Sequence, residues 1–369
     1  MSSLTVEQLI QLRQRFAKYK NALATFRTSE SVARRRQIGD ADADCPFIDS
    51  INPYLADLQK ILQAKASRRA QAKTQVQTAR VNEHIRTRAG HTLEVQSIAI
   101  FLADLLGLNP WLAQAIAAGH DIGHTPFGHV GETFLTGKLQ ALPAYQGKRF
   151  KHDVFGVIVA QKIERRGMGL NLTRQTLDGI LNHSRGSGKA SLNDQVSFEA
   201  NLVMYADKIA YVFADWNDLF TRNVLNIVDY PDLGRLIDFC GNSQRERMWY
   251  MIGGLCRESA SEGKISFSHC EEAKVFEQIK AEMYQIYEHV NLFESEAILE
   301  RVYCFLEHIN FGEQNPALVM ALMTDKDVLH LYERNLLNIA DIRETSVWEL
   351  LSFLRQLKDL DLCDPDLDW

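Results

Sequence analysis

Histidines and carboxylates are concentrated in one part of this 369-residue sequence. Five of the eleven histidines fall between positions 91 and 152, and three of these stand in the segment His120-Asp121-Ile-Gly-His124-Thr-Pro-Phe-Gly-His129-Val-Gly-Glu132. An adjacent histidine and aspartate can offer a nitrogen and an oxygen to one divalent ion, and the following turn would bring the other histidines over the same pocket. Mixed nitrogen and oxygen ligands suit Mn, Fe, Co, Ni or Mg better than a structural zinc site. The segment predicts a metal site, although an isolated His-Asp pair also occurs at capped helix ends.

A second group of polar residues lies on an apolar segment farther along the chain. Asp207, Tyr211 and Asp215 recur at steps of four and would share one face of a helix. Acids and a tyrosine on an apolar helix are costly unless they are paired. His91, one predicted helix before the His-Asp pair, adds another imidazole. Different helices could therefore supply ligands to one ion.

A basic stretch precedes the histidine cluster. Between positions 61 and 90 the only acid is Glu83, so the stretch carries a charge of +6 in a chain whose net charge is −6. Its basic residues are Lys65, Arg68, Arg69, Lys73, Arg80, Arg86 and Arg88. Such a run can be a solvated basic helix face. Its position beside the histidines favours an anionic ligand.

Helical patterns connect these residues and predict an all-α fold, in keeping with only 21 glycines and 8 prolines. The predicted helices cover residues 91–106, 110–120, 153–166, 173–183, 198–220 and much of 271–307, and loops are expected at 138–149 and 186–194. Gly107 would end the first helix, and Asn109-Pro110 would begin the second. His183 would lie at a helix C-terminus, where its charge suits the helix dipole.

The sequence contains no Pro/Gly/Ser-rich linker long enough to demand a domain boundary. We predict an N-terminal helical arm at 1–54, a helical core at 55–225 and a C-terminal helical region packed on the core at 226–369. From Tyr230 onward no spacing suggests chemistry, and this region is expected to support the core.

Composition excludes several classes of protein. Hydrophobic residues make up 46% and charged residues 24%, as in ordinary globular chains. No window approaches the ~18 consecutive apolar residues of a membrane span, and the N-terminus lacks a signal-peptide pattern. A cytoplasmic protein without membrane association is therefore expected. The six cysteines form no Cys-x-x-Cys pair, which argues against a disulfide framework or a zinc ribbon.

Five sequence blocks in order carry a family resemblance over about residues 57–220. They are Ser67-Arg-Arg-Ala-Gln-Ala-Lys-Thr-Gln-Val76, Arg86-Thr-Arg-Ala-Gly-His-Thr-Leu-Glu-Val95, the segment from His120 to Glu132, Gly169-Leu-Asn-Leu-Thr173 with Gly179-Ile-Leu-Asn-His-Ser184, and Ala206-Asp-Lys-Ile-Ala-Tyr211. Together they resemble the dGTPase-like branch of the HD-domain superfamily, the deoxynucleoside triphosphate triphosphohydrolases. The resemblance implies an HD-domain helical core with additional C-terminal helices.

The resemblance also implies three groups of site residues. The metal ligands would be His91, His120, Asp121 and Asp207. The catalytic group would be His124, Glu132, His129 and His152, with His124 activating or positioning water. The substrate would be bound by Arg88, Lys208 and Tyr211 at the triphosphate, by Asp215 and Gln75 at the deoxyribose, and by Lys73. The cofactor would be one divalent ion, Mn or Mg, with Fe, Co, Ni or Zn as alternatives.

The implied reaction is hydrolysis of a dNTP, with dGTP favoured, to deoxynucleoside and tripolyphosphate. The resemblance further implies a nucleotide activator, single-stranded nucleic acid as a partner, and a homo-oligomer, hexamer or tetramer. Another HD activity is an alternative: a nucleoside monophosphatase, a cyclic-nucleotide phosphodiesterase or a guanosine-tetraphosphate hydrolase. A non-catalytic nucleotide or nucleic-acid sensor is an alternative of another class.

Overall fold

The structure, a computed structural model, describes residues 6–36, 50–73, 86–184, 195–220, 225–287, 292–309, 315–334 and 339–369. Within these residues the secondary structure consists of helices joined by turns and loops, and no strand is formed. The prediction of an all-α fold is confirmed. The α-helices are α1 (Val6–Ala17), α2 (Pro53–Gln63), α3 (Lys65–Arg69), α4 (Arg88–Leu106), α5 (Pro110–Gly119), α6 (His129–Gln140), α7 (His152–Ile158), α8 (Arg174–Asn182), α9 (Phe198–Phe220), α10 (Pro231–Cys240), α11 (Gln244–Glu262), α12 (Glu271–Tyr287), α13 (Leu292–His308), α14 (Pro316–Leu322), α15 (Asp325–Glu333) and α16 (Leu351–Leu354). Among these described helices, none has both the length and the apolar character that crossing a bilayer requires.

Local signals set the ends of the two helices before the histidine cluster, as predicted. Helix α4 ends at Gly107, which adopts a left-handed conformation with φ of 81° that glycine takes without strain. Asn109 then caps α5, because its side chain accepts the N–H groups of Trp111 and Leu112, and Pro110 occupies the first helical position.

The predicted helix at 153–166 is shorter than expected. Helix α7 passes into a π-helical turn at Val159–Ile163, and the chain then kinks because Arg165 and Arg166 both take left-handed backbone angles. The helical pattern predicted over much of 271–307 corresponds to two helices, α12 and α13. The first part of the loop predicted at 138–149 continues α6 to Gln140, and the loop predicted at 186–194 lies outside the described residues.

Helix α5 lies at the centre of the packing. It contacts α2, α4, α8 and α9, and nearly all its side chains are small or apolar and buried. Glycines allow the closest approaches: a Cβ on Gly179 of α8 would stand 2.3 Å from Ile116 Cδ1, and one on Gly119 would stand 2.6 Å from Ile180 Cδ1. The C-terminal helices continue the core, since α11 and α12 contact α9 while α13 and α14 contact α6. The division at 54/55 and 225/226 stays a prediction.

Gly123 determines how closely the turn after α5 approaches α7. A Cβ at this position would lie 2.1 Å from the carbonyl oxygen of His152 and 2.2 Å from the main-chain nitrogen of Gly156. Both neighbours belong to the backbone, so neither can rotate away. The glycine therefore lets the turn carrying His124 and the helix carrying His152 meet.

We expect Gly123→Ala to lower the free energy of unfolding by about 3 kcal/mol, because the added methyl group must push α7 away from the turn. Gly137→Ala is the control, since that glycine lies exposed in α6 with nothing within 4 Å of an added Cβ. It should raise stability by about 0.5–1 kcal/mol through the better helix propensity of alanine. Urea unfolding of both variants measures the contrast. Equal stability of Gly123→Ala and wild type would contradict the packing argument.

Candidate metal and phosphate site

The predicted metal ligands converge from two helices and the turn that follows a third. Helix α4 carries His91 in its first turn, α5 ends directly before His120 and Asp121, and α9 carries Asp207. The side chains of the first three are almost fully buried, whereas that of Asp207 is 19% exposed. Residues more than a hundred positions apart in sequence thus form one cluster.

The donor atoms of this cluster face one another. His91 Nε2 lies 2.9 Å from Asp207 Oδ1. His120 Nε2 lies 3.4 Å from Asp121 Oδ1 and 3.8 Å from Asp207 Oδ1. His120 Nδ1 donates to the carbonyl oxygen of Ala117 at 2.7 Å, so a neutral ring keeps its lone pair on Nε2, which is buried without a hydrogen-bond partner. That nitrogen is oriented as a ligand.

These separations fit a shared divalent ion. Ligands at roughly 2.0–2.2 Å from an ion stand about 3.0–3.5 Å from their neighbours in octahedral or tetrahedral geometry. Two imidazoles and two carboxylates suit a borderline or hard divalent ion. The carboxylates are ready to bind: burial would raise the pKa of Asp207, but the hydrogen bond with His91 and the nearby His120 lower it overall. This cluster can hold a metal ion.

Glu132, in the first turn of α6, is the centre of a second cluster. Its Oε1 lies 2.8 Å from His152 Nδ1, 3.1 Å from His129 Nδ1 and 3.3 Å from His124 Nδ1. His124 Nε2 lies 3.0 Å from Asp121 Oδ1, which joins the two clusters. The ring of His124 stacks on that of His152 at 3.8 Å. His129 differs from the other two because its side chain is 77% exposed.

The protonation states of these histidines differ. Burial, together with the positive charges of Arg88 and His152, lowers the pKa of His124 well below its usual value, so this ring is neutral at pH 7. Burial also opposes protonation of His152, but the carboxylate of Glu132 raises its pKa to about 9. The neutral imidazole of His124 thus stacks on the imidazolium of His152. A neutral ring has a lone pair and can accept a proton.

His183 belongs to the site although sequence reasoning did not assign it. Its Nδ1 donates to the carbonyl oxygen of Ile180 at 2.6 Å, and its Nε2 lies 3.2 Å from His152 Nε2. Its ring also meets that of His120 edge to face at 5.1 Å. Burial and the neighbouring histidines lower its pKa to about 3. His183 is therefore neutral, and its Nε2 accepts a hydrogen bond from the Nε2–H of protonated His152. Its place in the fourth sequence block was the available signal.

The three basic residues predicted to bind the substrate are all buried. Arg88 donates to Asp121 Oδ2 at 3.0 Å, and its side chain passes 2.6 Å from where a Cβ on Gly128 would stand. Lys208 is buried directly after Asp207 in α9. Lys73 is buried too and donates from Nζ to the carbonyl oxygen of His124, so its predicted substrate contact stays a prediction. Gln75 lies outside the described residues.

Helix α12 completes the polar face of α9. Tyr287 donates to Asp215 Oδ2 at 2.6 Å, and the hydroxyls of Tyr211 and Tyr284 lie 3.1 Å apart. Burial raises the pKa of Asp215 to about 7. These contacts come from the C-terminal region, where no residue spacing suggests chemistry. The face predicted from the spacing of Asp207, Tyr211 and Asp215 is therefore lined by tyrosines from a second helix.

Comparisons with known proteins agree with this geometry. The HD domain family model matches residues 88–212, which include all four donor residues of the metal cluster. A deoxyguanosinetriphosphate triphosphohydrolase-like protein of Desulfatibacillum aliphaticivorans is 31% identical over 338 residues, 83% of this chain and 92% of the relative. The protein of that name from Clostridium perfringens (strain 13 / Type A) is 40% identical over 229 residues, which span 62% of this chain and 61% of the relative. The chain belongs to the dGTPase-like family of HD-domain phosphohydrolases.

We expect Asp207→Ala to abolish binding of the divalent ion, because Asp207 supplies an oxygen that contacts both histidines of the cluster. Elemental analysis after dialysis against Mn²⁺ or Mg²⁺ measures occupancy. A chelator should lower the melting temperature of the wild-type protein, because the ion binds only the folded chain, and should leave that of the variant unchanged.

Asp215→Asn is the matched control for this experiment. Asp215 lies two turns farther along α9, accepts from Tyr287, and is not one of the four converging donors. This variant should keep its ion. Full occupancy in Asp207→Ala would show that the ligand assignment is wrong.

Proposed function

We propose that this protein hydrolyses deoxynucleoside triphosphates, dGTP foremost, to deoxynucleoside and tripolyphosphate, with one divalent ion held by His91, His120, Asp121 and Asp207. The observation that carries the proposal is the position of His124. Its imidazole is buried between Asp121 of the metal cluster and Glu132 of the second cluster. A neutral base at that junction is what hydrolysis of a phosphate ester requires.

A divalent ion in the donor set, Mn or Mg in our proposal, would acidify a water molecule and polarise a phosphate oxygen. His124 then takes a proton from the water. Its neutral ring carries a single N–H, so it can donate to one neighbouring carboxylate and keep its other nitrogen as an acceptor. Glu132 stabilises the imidazolium that forms, while the positive charge of His152 keeps His124 from being protonated beforehand.

Cationic side chains would bind the triphosphate. Arg88, which donates to Asp121, and Lys208, which follows Asp207 in α9, are both buried where charge is weakly screened, and arginine can bind phosphate in a bidentate manner. Tyr211 would join them, while Asp215 and Gln75 would contact the deoxyribose. His129, exposed at the start of α6, would face the phosphates. In this reaction water attacks the α-phosphorus and the bond to the 5′-oxygen breaks, so the deoxynucleoside departs with a proton on that oxygen and all three phosphates remain together as tripolyphosphate. Positive charge there stabilises the phosphate oxygens as negative charge grows on them in the transition state.

Two alternatives remain distinguishable by experiment. Another HD phosphohydrolase activity would release orthophosphate or pyrophosphate, or open a cyclic phosphodiester. A non-catalytic sensor would be expected to lack a metal ligand, and all four donors lie together here. We further propose a cytoplasmic homo-oligomer, hexamer or tetramer, with nucleotide activation and binding of single-stranded nucleic acid as properties to be tested. Light scattering with and without nucleotide measures the assembly.

The site of cleavage is the most direct test. We expect dGTP, incubated with the protein and Mn²⁺ or Mg²⁺, to give deoxyguanosine and intact tripolyphosphate, because the proposed reaction separates the nucleoside from all three phosphates. Ion-exchange separation of the phosphates identifies the product, and mixtures of dNTPs test activation. Orthophosphate or pyrophosphate as the first product would contradict the proposal.

We expect His124→Ala to lower kcat by about 10²–10⁴-fold, the range that general acid–base catalysis contributes, while metal content is retained. His269→Ala is the control, because His269 is 78% exposed and contacts Glu262 on α11 instead of either cluster. Steady-state kinetics on dGTP with parallel elemental analysis measures both. Unchanged turnover in His124→Ala would remove this histidine from the reaction.

A further inference from the structure

A carboxylate from the C-terminal region contacts the turn that carries His124. Asp325, the first residue of α15, is 2% exposed, and its Oδ1 accepts the main-chain N–H of Phe127 at 3.0 Å. The two residues are 198 positions apart in the sequence. Since Phe127 lies between His124 and His129, this bond ties the proposed catalytic turn to a helix outside the region matched by the HD model.

The turn needs such a partner because its backbone is strained. Phe127 has φ of 58°, in the left-handed region that costs a residue with a side chain roughly 1–2 kcal/mol. Gly128 follows with φ of 56°. Strained conformations persist only when the surrounding structure holds them. The Phe127 side chain is buried in the apolar core, and its N–H is fixed by Asp325, so both its ring and its backbone are constrained.

Lys73 holds the same turn at a second point. Its buried Nζ donates to the carbonyl oxygen of His124, three residues before Phe127. Burial and the positive charge of Arg69 lower the pKa of Lys73 to about 7, although the negative charge of Asp325 favours its ammonium form. One main-chain acceptor and one main-chain donor of the turn are therefore each bound by a buried side chain. Breaking either bond would leave a buried polar group unsatisfied, which costs about 1–3 kcal/mol.

We infer that Asp325 is a positioning residue of the hydrolytic site, which fixes the His124 turn and so sets the distance of His124 from Asp121 and Glu132. Its consequence for turnover rests on the proposed function. The carboxylate acts here through the N–H of Phe127, which is not one of the four predicted ligands, so we expect metal binding not to depend on it. A displacement of about 1 Å at a catalytic group can cost about 10²-fold in rate.

The test compares two substitutions at Asp325. Asp325→Ala removes the acceptor, and we expect kcat on dGTP to fall up to about 10²-fold with metal content and KM little changed. Asp325→Asn keeps an oxygen at the same place and should retain most of the activity. Hydrogen exchange of the peptide covering 122–130 should show faster exchange of the Phe127 amide in Asp325→Ala than in Asp325→Asn or the wild type.

Asp327→Ala is the matched control for lost stability of α15. Asp327 caps the same helix, through the capping box with Thr324, and binds Ser346 rather than the turn. It should lower the melting temperature yet leave kcat and Phe127 exchange near wild type when the protein is assayed well below that temperature.

Each result decides the inference. It is overturned if Asp325→Ala keeps wild-type turnover or wild-type Phe127 exchange, or if Asp327→Ala lowers turnover equally. It is supported if only Asp325→Ala shows both lower turnover and faster exchange of the Phe127 amide, and if Asp325→Asn keeps both near the wild-type values. If the wild-type protein releases no tripolyphosphate, the proposed function fails, while the exchange measurement still decides whether Asp325 holds the turn.

Discussion

Two carboxylates lie against the same buried imidazole, and the structure depends on neutralising their negative charges. Asp121 and Asp207 both approach His120 Nε2, one at 3.4 Å and the other at 3.8 Å. Withdrawing an ionised group from water costs several kcal/mol even after relaxation, so such acids persist only with matched partners. His91 and Arg88 supply part of that compensation within the chain. A divalent ion would supply the remainder, which makes the cluster both a binding site and a cross-link of the core.

Close helix packing follows from that convergence. Donor atoms on α4, α9 and the end of α5 can share an ion only if the helices approach more closely than bulky side chains allow. Alanines fill α5, and glycines mark the tightest contacts with its neighbours. The same requirement extends to the turn after α5, where Gly123 lies against the backbone of α7. Small residues that look unremarkable in the sequence therefore have a geometric purpose.

Sequence reasoning was most reliable where the signal was local. The end of α4 at Gly107 and the start of α5 at Asn109-Pro110 were predictable because each depends on a few adjacent residues. The adjacent His120-Asp121 pair and the spacing on α9 also pointed to polar groups that the structure brings close together, while their assignment as metal ligands stays a prediction. The position of His183 was not predictable, since it depends on how α8 packs against α5 and α7. The contact of Lys73 with a main-chain carbonyl also carries no sequence pattern.

The C-terminal region does more than cover the core. Helix α12 brings two tyrosines to the face of α9 that bears Tyr211 and Asp215, and α15 brings a carboxylate beneath the turn of His124. These contacts come from beyond residue 212, where the HD model match ends, whereas the four predicted metal ligands lie within it. The predicted ligands and the C-terminal residues that shape their surroundings thus lie in separate parts of the sequence. Because a single buried tyrosine or aspartate has no periodic pattern, this division became visible only in three dimensions.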